Sequence, residues 1–425
     1  MRLPPRPLLV GIGILTLLLA GTLGCTAPRV SGEQLQRWAR ERPEPLLVEV
    51  VEEHGSLGGS FWRVDVTVED VASARSFADA FDEAGQRLGD ATVVSWRVGG
   101  GTTSLRHGQR PTTEEAWNLA DRPLPAQATA RRIGIQQFST AFDYEDVVEY
   151  DAVDVVAVGA VAEGLPGHTL TVRGDHERLG PAEPDEVNRR AASLAEVAGS
   201  GPTFTVFDEE VRVGSADDVV ALAERLPEAP NWWVTSDTLV GVSTERGARP
   251  YYPVVAELLA RGSEVVTATL TAGELRVGFA DCAAAAAFLG EPLPGPVPLG
   301  LGCTASASGQ RNAGGLWLAG SQEQVLTWFP RAREAVAEHG VTRLDVAPQA
   351  IDARVPAQVD AWPDALRAVR RIGWQGDAAI RLEVVGGGAA SFWSSADGRA
   401  SGEEHSGTSD AQASRLRAAW DATSP

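Results

Sequence analysis

"TFTVFDEEVRVGSAD" (Thr203–Asp217) and "TATLTAGELRVGFAD" (Thr267–Asp281) align without a gap at an offset of 64 residues, and eight of the fifteen positions are identical. Self-similarity at a fixed spacing is the mark of a repeat architecture and is read before any single motif. In the first copy Phe204 and Val206 alternate with Thr203 and Thr205, the period of a half-buried strand. Asp208 and Glu209 turn the chain, and Val211 and Val213 return on the same face. Ser215 then offers a helix N-cap with Asp218 in the first turn, and Val219, Val220, Leu222 and Leu226 give the helix an apolar face. Each copy reads as a hairpin followed by a helix.

The same order extends along the chain. Helix starts are expected near Asp70, Thr112, Tyr144, Asp185, Ser215, Tyr251, Ala280, Ser321, Asp360 and Ser409. Three of them read as capping boxes: Thr112 with Glu115, Ser321 with Gln324, and Ser409 with Gln412. An offset of 64 thus spans two ββα units, and the expected fold class is α+β. The expected form is tandem ββα repeats forming antiparallel sheets with helices on one face, in ferredoxin-like or split βαβ layers. Pro- and Gly-rich joints at Leu179–Pro184 and Gly290–Gly300 suggest three repeat regions, 36–182, 183–295 and 296–425.

The N-terminus carries Arg2 and Arg6 and then a mostly apolar, uncharged run from Leu8 to Leu23. That run is shorter than the roughly 20 residues a bilayer-spanning helix needs, and it fits a secretory signal peptide. It ends in "LLLAGTLGC" (Leu17–Cys25), and the pair Gly24-Cys25 resembles the lipobox of bacterial lipoproteins, with Leu23 and Thr22 departing from that motif's usual order. The resemblance implies a signal peptide over 1–24 and acylation of the Cys25 sulfur. It also implies a short lipidated tether over 25–35 and a position on the outer face of the cell membrane. Cleavage around Ala27 and an uncleaved anchor are the other readings of the same stretch. Two acyl chains hold a protein stably at a membrane, where one holds it only marginally.

Composition narrows the function classes. The chain has 37 basic residues against 57 acidic ones, a net charge of −20 at pH 7, and removal of 1–24 makes it two units more negative. Phosphates and anionic lipid surfaces repel such a chain, which argues against nucleic acid as a partner. Every basic residue is arginine. Without lysine there is no Schiff-base chemistry, no P-loop and no Ser-x-x-Lys acylase. The Ala-, Gly-, Arg- and Pro-rich composition is what a GC-rich, actinobacterial genome writes.

Candidate sites are few. Cys282 and Cys303 remain once Cys25 is acylated, and an even pair in an exported protein favours a disulfide over two buried thiols. His168 and His176, with Asp175 and Glu177, flank a strand and read as a metal or acid–base cluster or, more simply, as solvated turn residues. "RVGGGTT" (Arg97–Thr103) and "VVGGGAA" (Val384–Ala390) lie between strand-like segments and read as hairpin turns rather than phosphate cradles. Trp232 and Trp233, followed by Tyr251 and Tyr252, form the densest aromatic group. Neighbours in a strand point to opposite faces, so one of the two tryptophans should leave the core for ligand binding unless a neighbouring layer covers it.

No metal or cofactor motif and no catalytic constellation stands out. The leading expectation is a lipid-anchored, non-catalytic envelope protein that binds a protein or cell-wall partner. A small-molecule or glycan receptor with its site in a cleft between layers is the alternative. A carboxylate-dependent hydrolase is the third reading, since no acid pair is singled out by spacing.

Overall fold

A computed structural model describes residues 30–54, 60–88, 92–107, 112–137, 144–199, 201–237, 240–291, 293–303, 315–402 and 410–424. Cys25, the signal peptide and the Ser409 capping box therefore lie outside the described residues. Among those described are eleven α-helices and twenty strands in mixed β-sheet, an α+β fold. By its internal contacts the chain divides into two units, residues 1–196 and 197–425. The joint at Leu179–Pro184 lies inside the first unit, with the helix Pro184–Val197 between it and this division. Gly290–Gly300 lies inside the second unit, between a helix and the next strand.

The first unit opens with α1 (Gly32–Arg40), which starts inside the expected tether because Ser31 and Gln34 close a capping box there. It continues β1 (Pro45–His54), β2 (Ser60–Val68), α2 (Val71–Leu88), β3 (Thr92–Val98), β4 (Thr103–His107) and α3 (Glu114–Asp121). Then come β5 (Ala128–Gln137), β6 (Tyr144–Ala152), α4 (Val155–Gly159), β7 (Thr169–Arg173), β8 (Arg178–Ala182) and α5 (Pro184–Val197).

The second unit runs β9 (Phe204–Phe207), β10 (Glu210–Val213), α6 (Ala216–Arg225), β11 (Trp233–Ser236), β12 (Val240–Ser243) and α7 (Tyr252–Ala260). It goes on through β13 (Val265–Leu270), β14 (Leu275–Phe279), α8 (Cys282–Leu289), β15 (Leu299–Cys303), β16 (Gly315–Gly320) and α9 (Gln322–Glu338). The last elements are β17 (Arg343–Ala347), β18 (Ala350–Val355), α10 (Trp362–Arg371), β19 (Ala378–Val384), β20 (Ala389–Ser394) and α11 (Asp410–Ala422).

The sheet corrects the antiparallel expectation. Strands of one hairpin pair antiparallel, as in β15 with β16 and β17 with β18. Strands joined through a helix pair parallel, as in β16 with β17 and β18 with β19. The reason is the crossover: a helix laid back along the sheet returns the chain to the end it left, so the next strand runs the same way. Within each unit the strands pair in chain order, without the interleaving of a split βαβ layer.

One helix expectation fails. Tyr144 begins β6 rather than a helix, because the segment pairs with β5 along its whole length. The helix starts eleven residues later at Val155, where the Asp154 carboxylate accepts from the Ala157 amide. At the third helix the cap is Thr113, one residue beyond the expected Thr112. Ser321 and Gln324 do close a capping box.

Burial alternates along β16, β18, β19 and β20. In the second unit Leu316, Leu318, Leu344, Val346, Ile351 and Ile380 are buried on the face that carries α9, α10 and α11. The residues between them, Trp317, Asp345, Asp352 and Ala379, are half-buried on the opposite face. Arginine also closes helix ends: Arg131 donates to the Ala120 and Arg122 carbonyls after α3, and Arg249 to those of Glu224 and Leu226 after α6. Arg370, pushed down to about 10 by burial, donates to the Trp420 carbonyl near the end of α11 and stands 3.9 Å from the Trp420 ring. These guanidiniums satisfy carbonyls that a helix cannot satisfy itself.

Candidate functional site

A groove of about 640 Å³ lies on the open face of β16–β20. Its architecture follows from register. Three transverse rows of side chains cross the strands, set by the pairing partners.

The first row is Arg343, Arg354 and Glu383. The second is Trp317, Asp345, Asp352, Arg381 and Ser391. The third holds Ala347, Ala350, Ala379 and Trp393, with Ala319 two residues on from Trp317. The alanines leave a trough. Trp317 bounds it on β16 and Trp393, 51% exposed, on β20.

Trp317 is held by glycines. A Cβ at Gly302 would lie 2.7 Å from its ring and one at Gly300 2.9 Å, so the indole rests on bare backbone of β15. Trp393 is fixed by an exchange of backbone hydrogen bonds with Ser401, at 2.9 and 2.7 Å.

The charged rows put like beside like. Asp345 stands across from Asp352, and Arg343 across from Arg354. Direct opposition of like charges is unfavourable, and each arginine instead pairs with an acid on its own or a neighbouring strand. Arg343, 8% exposed, reaches Asp345 at 2.6 Å and Asp352 at 3.7 Å, while Arg354 reaches Glu383 at 3.0 Å. Burial lifts the Asp352 carboxyl above its ordinary value, against the pull of Arg343 and Arg381. Burial also acts to raise Glu383, yet the Arg354 hydrogen bond and the charges of Arg381, Arg354 and Arg343 hold it below. Asp352 Oδ1 is buried and accepts no hydrogen bond.

The residues singled out from sequence are placed elsewhere. Trp232 is 0% exposed, its backbone amide donating to Thr244 Oγ1 at 2.8 Å. Tyr251 and Tyr252 are buried, and Tyr252, pushed up to about 12 by burial, donates its hydroxyl to the Ser243 carbonyl. Trp233 alone of the four reaches the open face, where it lies over Gly241. Cys282 and Cys303 are joined by a disulfide with a Cα–Cα distance of 4.9 Å, tying the start of α8 to the end of β15. Asp175 and His176 are exposed, and among the described residues no group of three or more His, Cys, Asp or Glu is placed to hold a metal ion. No described helix is long and apolar enough to cross a membrane.

The groove residues escaped sequence reading. An outward aromatic was legible in Leu316-Trp317-Leu318, but nothing local says that Trp317, Asp345, Asp352 and Arg381 fall on one line. No family model, curated protein or solved structure matches this chain.

Proposed function

We propose that the protein is a lipid-anchored, non-catalytic binding module on the outer face of the cell membrane. In this reading it is built from ten copies of one hairpin–helix unit, and it holds a cell-wall polymer or envelope protein against its open sheet face. The lipobox-like Gly24-Cys25 supports the anchor, and the recurring hairpin–helix order supports the repeat. The alanine trough between Trp317 and Trp393 carries the binding reading. Scaffolds of this kind bind where small residues leave room and aromatic groups wall it.

Two measurements test it. Intact mass of the N-terminal peptide from membrane-extracted protein should show diacylglycerol on Cys25, and Cys25→Ser should release the chain from the membrane fraction. A photo-crosslinking amino acid at Ala350, in the trough, should capture an envelope component on intact cells that the same probe at exposed Asp217 does not. Equal labelling at the two positions would remove the groove as the binding site.

A further inference from the structure

The trough has features that select among ligand classes, and on the binding reading above we propose that it takes an uncharged saccharide chain. Four observations converge on that class.

The first is shape. From β16 to β20 there are four inter-strand steps of about 4.8 Å, so the trough runs about 19 Å across the strands. Its floor is methyl groups and its two ends are indoles. That suits a short, flat chain laid across the sheet better than a compact ligand.

The second is the indoles themselves. An aromatic face set at each end of a polar groove stacks on the C–H faces of sugar rings, an apolar contact that leaves the hydroxyls free to hydrogen-bond.

The third is the orphan acceptor. Asp352 lines the groove with its side chain 24% exposed, and its Oδ1 accepts no hydrogen bond from the protein. A carboxylate short of donors is unfavourable, and a ligand hydroxyl donating to its exposed part offsets that penalty.

The fourth is charge. Asp345, Asp352 and Glu383 are matched by Arg343, Arg354 and Arg381, so the wall selects neither a cation nor an anion. The chain as a whole, at −20, repels polyanions. A purely apolar ligand would bury the charged rows without replacing their water.

The test uses the full mature protein in detergent, titrated by calorimetry and tryptophan fluorescence. The probes are chitotetraose, cellotetraose and maltotetraose, with tetralysine and tetragalacturonate as charged counterparts. At least one neutral tetrasaccharide should saturate binding. Trp393→Ala, at an exposed position, should weaken it about tenfold, and Asp352→Ala should do the same. Asp352→Asn keeps an acceptor oxygen and should stay within about threefold of the parent.

Three results overturn the proposal. One is no binding of any neutral tetrasaccharide up to about 10 mM while crosslinking at Ala350 persists, which discards the saccharide and keeps the groove. Another is saturable binding of tetralysine that Asp352→Ala abolishes, which makes the site cationic in preference. Loss of specific crosslinking at Ala350 removes the binding site itself, and the saccharide with it.

Discussion

Two groups of strands, β5–β7 in the first unit and β17–β18 in the second, arrange facing charges in opposite ways. On β5–β7 unlike charges stand across from each other: Arg132 from Glu149, and Asp151 from Arg173. Glu149 is served by two arginines, Arg173 at 2.7 Å and Arg132 at 3.5 Å, and Arg132 also meets Asp151. On β17 and β18 like charges stand across from each other, and Arg343 serves both Asp345 and Asp352. On the first face the buried Glu149 Oε1 accepts no hydrogen bond, yet Arg173 stands 2.7 Å from it. On the second, Asp352 Oδ1 likewise accepts none, and Arg343 stands 3.7 Å from that carboxylate, beside a trough of alanines.

The comparison breaks first, and by the largest effect, at Arg343. Arg343→Ala leaves two mostly buried carboxylates without their cation and should cost about 3 kcal/mol, whereas Glu149→Ala, which leaves Arg132 its partner Asp151, should cost about 1 kcal/mol. Denaturant midpoints of the two variants decide it; equal costs would mean that the two faces do not differ as their registers imply.

Next comes the wall of the trough. Gly302→Val puts a side chain where the Trp317 ring lies, and overpacking of this kind should cost about 2 kcal/mol by the same measurement. It should also change tryptophan emission as the indole is displaced.

A smaller effect concerns the unmet carboxylate. Because burial raises the folded-state pKa of Asp352, its ionised form is disfavoured in the native protein above that pKa, and the penalty fades as pH falls through it. Asp352→Asn should therefore be as stable as the parent or more so at pH 7. The gain, up to about 1 kcal/mol, should vanish on acidification, as denaturant midpoints at neutral and acid pH would show.

The smallest lies on the helix face. His339 is hydrogen-bonded to Asp364 at 2.7 Å and to Glu334 at 3.2 Å, and these carboxylates raise its pKa above 6.5. Its contribution is full below its unfolded pKa and is lost as pH rises through the folded one. His339→Gln should flatten that slope of stability against pH in the second unit alone, as hydrogen exchange of α9 and α10 would show.

The chain's own letters settled a good deal. The 64-residue repeat, with its strand alternation and Ser or Asp caps, already contains the hairpin–helix order, because periodicity and capping are local properties. The cysteine count pointed to the Cys282–Cys303 pair, which the disulfide bears out. Where local signals competed, the reading failed: Glu145 and Asp146 look like the first turn of a helix, yet pairing with β5 makes the segment a strand.

Tertiary structure alone decided the rest. Alternation assigns Trp317, Asp352 and Ala350 to the open face but is silent on which strand residue stands beside which. Register across hairpins and helix crossovers aligned residues tens of positions apart into a charged row, an alanine row and two indole ends. Trp232, Tyr251 and Tyr252, from the densest aromatic group, went into the core, Trp232 just before β11 and the tyrosines at the start of α7. The groove exists because of that alignment, and alignment between strands is a long-range property that a single strand does not encode.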